Sequence, residues 1–174
     1  MRTLIRAVLL LALFPSALPA QSGYVWWVTA RFEAKDTIIE SIPLREIDQA
    51  WVAASSLRES TLNAAAFEPG ESLKDHDAAF EIEGDFNRDG KRDKALVGVY
   101  RSEGGETGGF LLILTQDSTK QFAKAALFKN PGGQFSALQT GDRGGLRWAF
   151  CFECDGVCEV IPTRSGWRLE CSGL

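Results

Sequence analysis

From about residue 78 to its end, the chain is a succession of short apolar runs separated by glycine-rich breaks. The runs are Ala78 to Ile82, Ala95 to Arg101, Phe110 to Thr115, Phe122 to Phe128, Gln134 to Gln139, Leu146 to Glu153, Val157 to Pro162 and Trp167 to Cys171. Between them lie Gly104-Gly105, Gly108-Gly109, Pro131-Gly132-Gly133, Gly144-Gly145 and Ser165-Gly166. Runs this short cannot complete packed helices, and glycine supplies the backbone freedom that tight turns need, so the pattern predicts an antiparallel β meander. Leu111-Leu112-Ile113-Leu114 is apolar at both parities and is expected to be buried on both faces. Leu146, Trp148, Phe150 and Phe152 fall at alternate positions, as in a strand buried on one face. A strand covered on both sides requires a second layer.

The amino-terminal half reads differently. Tyr24 to Ala34 and Thr37 to Ile42 are rich in aromatic and β-branched residues and flank the break Ala34-Lys35-Asp36, which predicts a hairpin. Leu44, Ile47, Trp51, Ala54, Leu57 and Leu62 then recur every three to five residues, predicting one amphipathic helix over roughly 44 to 65. Its polar face carries Arg45, Glu46, Gln49, Arg58 and Glu59, so Trp51 should point into the core, and Glu68-Pro69-Gly70 should end it. This helix is the expected cover for the doubly apolar strand. The resulting fold class is α+β: a mostly antiparallel β meander forming a single blade-like sheet, with one amphipathic helix and an amino-terminal hairpin.

The first twenty residues carry Arg2 and Arg6, the apolar run Ala7 to Phe14, and Pro15-Ser16-Ala17-Leu18-Pro19-Ala20. This reads as a secretory signal peptide cleaved after Ala20, since the apolar run is shorter than the roughly 20 residues that cross a bilayer. Residues 21–174 then form a single β-rich domain with cysteine-rich hairpins over 146–174. The mature chain is expected to lack a membrane span and to be exported, to the periplasm or beyond. Removal of the signal takes two arginines from 19 basic side chains against 23 acidic ones. An acidic surface gives no electrostatic reason to bind nucleic acid, whose affinity rests on neutralised phosphates. Export also favours disulfides over zinc for Cys151, Cys154, Cys158 and Cys171. Cys151 and Cys154 differ in parity, and Asp155-Gly156 is a turn signal, so the expected pairs are Cys154 with Cys158 and Cys151 with Cys171.

One polar segment has a chemistry of its own. Asp85-Phe86-Asn87-Arg88-Asp89-Gly90-Lys91-Arg92-Asp93 places oxygen-bearing side chains at alternate positions around a glycine. Ca²⁺ takes six to eight oxygens at about 2.3 to 2.6 Å, and a short turn can offer them only from alternate residues. The expected ligands are the side chains of Asp85, Asn87, Asp89 and Asp93 and the backbone carbonyl of Lys91, with Gly90 permitting the sharp turn. Leu96 stands at position twelve, where an EF-hand has a bidentate glutamate, and the flanking runs are strand-like rather than helical.

The stretch from Ala79 to Arg101, with Gly84 before the loop and Ala95 to Tyr100 after it, resembles the FG-GAP or VCBS-type repeat. In that family an Asp-x-Asp/Asn-x-Asp-Gly-x-x-Asp loop joins two β-strands of integrin-like propellers and many exported bacterial proteins. The resemblance implies a calcium loop between two strands. This chain carries one complete loop rather than tandem copies, and its length cannot supply the blades of a propeller.

Catalytic constellations are thin. His76 is the single histidine and lies in Lys74-Asp75-His76-Asp77; no serine occupies a Gly-x-Ser-x-Gly elbow. Glu81 and Glu83 share one face of a predicted strand, as a glycosidase pair would. Cys151 and Cys154 lack the strand-to-helix setting of a redox pair. Adjacent Trp26 and Trp27 would point to opposite faces of a strand, one of them a candidate platform for a sugar ring or another protein. The leading expectation is a calcium-binding, non-enzymatic interaction module with a protein or carbohydrate ligand. Alternatives are a carbohydrate-directed hydrolase using Glu81, Glu83 or Asp77, and an inhibitor or assembly partner of another exported protein.

Overall fold

The long, doubly apolar strand organises the molecule, which is described here from a computed structural model covering residues 26–61, 69–141, 144–154 and 156–172. The strand β7 (Thr107–Gln116) pairs antiparallel with β6 (Asp93–Ser102) on one side and β8 (Phe122–Pro131) on the other. The far edge of β6 is shared by β5 (Glu81–Gly84), which pairs with its first half, and β3 (Trp51–Ser56), which pairs with its second. Leu111 to Leu114 are all fully buried, as their composition predicts.

Two different layers cover them. Leu111 and Ile113 meet Val97, Val99, Leu138 and Trp148 in one core. That face is covered by a second antiparallel sheet in the order β12-β11-β10-β9-β4, built from β4 (Ala78–Ala79), β9 (Ala137–Thr140), β10 (Leu146–Ala149), β11 (Val157–Thr163) and β12 (Gly166–Ser172). Phe110, Leu112 and Leu114 face a second core with Trp51, Tyr100, Leu44 and Ile47. Its cover is small: a ribbon of β1 (Ile38–Ile39) and β2 (Ile42–Pro43), followed by the single turn α2 (Leu44–Ile47).

The structure is thus mostly antiparallel β, as predicted, but three of the finer expectations are overturned. First, the strands of the described residues fall into two five-stranded sheets and the two-stranded ribbon, not one blade-like sheet, and the meander from residue 78 is divided between the two larger sheets. Glycine breaks mark where strands end; they do not say which strands become neighbours.

Second, the amphipathic helix over 44 to 65 does not form. Helix α2 stops at Ile47 because Asp48 turns extended (φ −151, ψ 123), and Asp48 accepts the Ala50 amide (2.9 Å). Trp51 is buried as expected, but from a strand. Val52 is the extra residue of a β-bulge, since Trp51 opposes Ser102 and Ala53 opposes Arg101. The bulge shifts the parity of the strand, so Trp51 and Ala54, three apart, reach the same core. A period-two strand thereby reads as a period near three. Residues 62–65, the end of that predicted helix, lie outside the described residues.

Third, the amino-terminal hairpin is displaced. Trp26–Thr29 forms one helical turn, α1, and the two strands occur within the second predicted segment instead. Their turn residues Glu40 (φ 49) and Ser41 (φ 68) both take the left-handed conformation that a two-residue hairpin favours. The predicted signal peptide, residues 1–20, lies outside the described residues. No helix among the described residues is long and apolar enough to cross a membrane.

The disulfides also correct the expectation. They join Cys151 to Cys154 and Cys158 to Cys171. In the β11–β12 ladder Cys158 lies directly opposite Cys171, so the hairpin register selects that pair. Strand β10 ends at Ala149, so Cys151 and Cys154 share no strand and the parity objection to joining them does not apply.

Candidate metal centre

The segment 85–92 connects β5 to β6, with Gly84 paired to Asp93 and Glu83 to Lys94 at its root. It is a strand-to-strand loop, as the sequence predicts. Its polar side chains fold back on its own amides. The two Asp85 oxygens accept from Asp89 N–H and Gly90 N–H, both at 3.0 Å. Asn87 Oδ1 accepts from Asp89 N–H (3.0 Å), and its Nδ2 donates to Asp89 Oδ2 (3.2 Å). Asp89 Oδ1 accepts from Lys91 N–H (2.8 Å). Such side-chain-to-backbone bonds are why Asp and Asn dominate turns. Gly90 (φ 80) is required by its conformation, since a Cβ there would meet nothing within 4 Å.

Asp93 differs from the others because it is fully buried. Its Oδ2 accepts from Phe86 N–H (3.0 Å), which fastens the loop to the strand, and its Oδ1 accepts from the Thr115 hydroxyl (2.5 Å) on β7. Both donors are neutral, and no ion pair with Asp93 occurs among the described residues. Asp85, Asp89 and Lys91 are exposed and Asn87 is half-buried. The side chains of Asp85, Asn87 and Asp89 are thus turned to the loop's own amides. Among the described residues, no group of three or more His, Cys, Asp or Glu side chains is placed so as to hold a metal ion.

A charge cluster adjoins the loop that the sequence did not reveal. Lys94 Nζ lies 2.8 Å from Glu40, 3.0 Å from Glu81 and 3.5 Å from Glu83. Burial works against the Lys94 charge, but the bonds to Glu40 and Glu81 outweigh it and hold the ammonium above the ordinary lysine range. Arg92 pairs with Glu83, and Arg58 reaches Glu40 at 3.9 Å. Glu81 and Glu83 do share a strand face, and both are engaged by Lys94. Asp77 borders a separate cleft with Leu73, Ala79 and Ile82.

His76 belongs to an aromatic cluster. Its ring stacks on Phe152 (4.4 Å, 7°) and meets Trp27 edge-on at 6.1 Å. Trp27 is buried and Trp26 packs edge-on against Phe135 (5.3 Å), so neither offers the exposed platform that a strand would have given. A polar cleft of about 570 Å³ runs beside residues 31–40, bordered by Arg31, Glu33, Lys35, Asp36 and Arg58. Asp36 and Ser55 both line it, and Asp36 accepts the Ser55 hydroxyl at 2.6 Å. No sequence motif marks this cleft, because its walls come from residues 31–40, residues 55–60 and Val99, which are distant in the chain. Comparison with protein-family models, with curated proteins and with solved structures finds no match.

Proposed function

We propose that this protein is an exported, disulfide-stapled module that binds Ca²⁺ in the 85–93 loop and acts by binding a protein or carbohydrate rather than by catalysis. The observation that carries the calcium reading is Asp93. An ionised carboxylate buried among neutral donors is costly unless a cation compensates it. A cation at the loop would do so, held by Asp85, Asn87 and Asp89, the Asp93 carboxylate and the Lys91 carbonyl. Each carboxylate oxygen that accepts one amide keeps a second lone pair for the ion. The resemblance to the FG-GAP or VCBS loop supports the same donor set. Leu96, buried in β6, supplies no bidentate carboxylate, and Arg88, Lys91 and Arg92 add positive charge. The expected affinity is therefore weak, about 10⁻⁶ to 10⁻³ M. The two disulfides support an oxidising compartment. The mixed-charge cleft beside residues 31–40 is the proposed contact surface for a polar ligand.

The test is calorimetric titration of the chelator-treated protein with Ca²⁺, with Mg²⁺ as the control and the melting temperature followed in parallel. One-site binding is expected. At a hundredfold excess over Kd the stabilisation is about 2.7 kcal/mol, or roughly 5 to 11 °C. Asp89→Ala should abolish the heat and, through loss of the Lys91 amide bond, lower the calcium-free melting temperature by only about 1 to 6 °C. Absence of heat and of a melting shift at millimolar Ca²⁺ would refute the reading.

A further inference from the structure

The two disulfides hold very different positions. Cys158–Cys171 joins facing residues of the β11–β12 ladder one rung from its open end, with Cys158 fully buried and Cys171 exposed. Cys151–Cys154 closes a four-residue loop beyond the end of β10, where Cys154 is exposed and Cys151 half-buried. A bridge across so short a loop restricts the unfolded chain less than one across the 13-residue separation of the other pair. Each bridge has one exposed cysteine, Cys154 or Cys171, so what separates them is loop length and the strand ladder that holds only Cys158–Cys171 together.

What the short bridge controls is Phe152, which lies between its two cysteines. Phe152 stacks on His76 at 4.4 Å and meets Trp27 at 5.0 Å and Phe135 at 5.2 Å. Trp27 in turn anchors α1. The hydrogen bonds of residues 26–31 among the described residues are internal, running from Ala30 N–H and Thr29 Oγ1 to the Trp26 carbonyl, and from Arg31 to the Val28 and Ala30 carbonyls. The amino-terminal turn is thus held to the body of the protein by its aromatic side chains, and Phe152 closes that box.

We propose that Cys151–Cys154 is a reversible thiol–disulfide exchange site, and that its reduction by a dithiol unlatches the amino-terminal turn through Phe152. One thiolate of the dithiol attacks Cys154 Sγ. The S–S bond breaks, and its electron pair leaves on Cys151 Sγ, which takes a proton from water. The second thiolate of the dithiol attacks its own sulfur in the mixed disulfide and expels Cys154, which is protonated in turn. The dithiol ends as a disulfide and the protein gains two electrons and two protons. The opened loop no longer presses Phe152 onto His76, and Trp27 loses one wall of its site.

Because His76 is the single histidine, its imidazole resonances report this stack without ambiguity. The oxidised protein is titrated with dithiothreitol under native conditions, alkylated and mapped by mass spectrometry, with the His76 ring protons followed by NMR. Cys151 and Cys154 are expected to be alkylated at a dithiol concentration at least about ten-fold below that needed for Cys158 and Cys171. The His76 signals should move toward those of an unstacked imidazole in step with alkylation and return on reoxidation. Oxidised Phe152→Ala should show the same displaced His76 signals without any dithiol. Joint reduction of both bridges, selective reduction with His76 unmoved, or an unmoved His76 in Phe152→Ala would each overturn the proposal.

Discussion

Tyr100 shows how much one side chain can commit to its protonation state. Its ring stacks on Trp51 (5.0 Å, 11°) in the second core, and its hydroxyl donates to Glu106 at 2.6 Å. Burial first, and the Glu106 bond and charge after it, hold the phenol above its ordinary value of 10.0. Lys94 is likewise held above 10.5. A group whose folded pKa is raised stabilises fully below its unfolded pKa, and that contribution is lost as pH rises through the folded one. Stability should therefore be level near neutrality and fall above about pH 10. Tyr100→Phe should cost about 1 kcal/mol at pH 7. It should also make the alkaline fall shallower in urea unfolding. An equally steep fall in the variant would mean that Tyr100 does not carry this linkage.

At the scale of the element, β7 concentrates the packing. Leu112 faces the ribbon and α2, while Ile113 faces the second sheet. Leu112→Ala and Ile113→Ala should each cost about 2 to 5 kcal/mol in denaturant unfolding, because each opens a cavity in a fully buried core. A surface strand would show that cost on one face alone, so a small loss at either position would remove that face from the core. This double burial was legible from composition, since no polar residue interrupts the run. Strand β3 was not, because one bulged residue at Val52 disguises its period. The polar turn between β5 and β6 was legible for the opposite reason: the bonds of Asp85, Asn87 and Asp89 close between residues no more than five apart, and only Asp93 reaches farther.

Across the whole molecule, Lys94 joins parts that sequence keeps apart. It bonds Glu40, in the turn of the ribbon, to Glu81 and Glu83 beside the loop root, and so ties the smaller cover to the main sheet. Lys94→Met would leave three carboxylates together without their shared cation. Amide hydrogen exchange over residues 38–47 should then quicken while β7 stays protected. Uniform quickening would show that the ribbon and sheet open as one unit, and no change would show that Lys94 does not hold the ribbon.

What the sequence determined by itself is what short-range chemistry dictates: strand-forming runs, turns at glycine, the polar turn of 85–92 between two strands, and the burial of Leu111 to Leu114. Tertiary structure alone decided which strands share a sheet, that Cys158 faces Cys171, that the ribbon rather than a helix covers Trp51, and that Asp93 lies buried against Thr115. Each of those depends on register between segments distant in the chain, where a shift of one residue exchanges the two faces of a strand. Local pattern carries no record of that register. It is set only when Trp51, Tyr100 and Phe110 pack together and leave one pairing that buries them all.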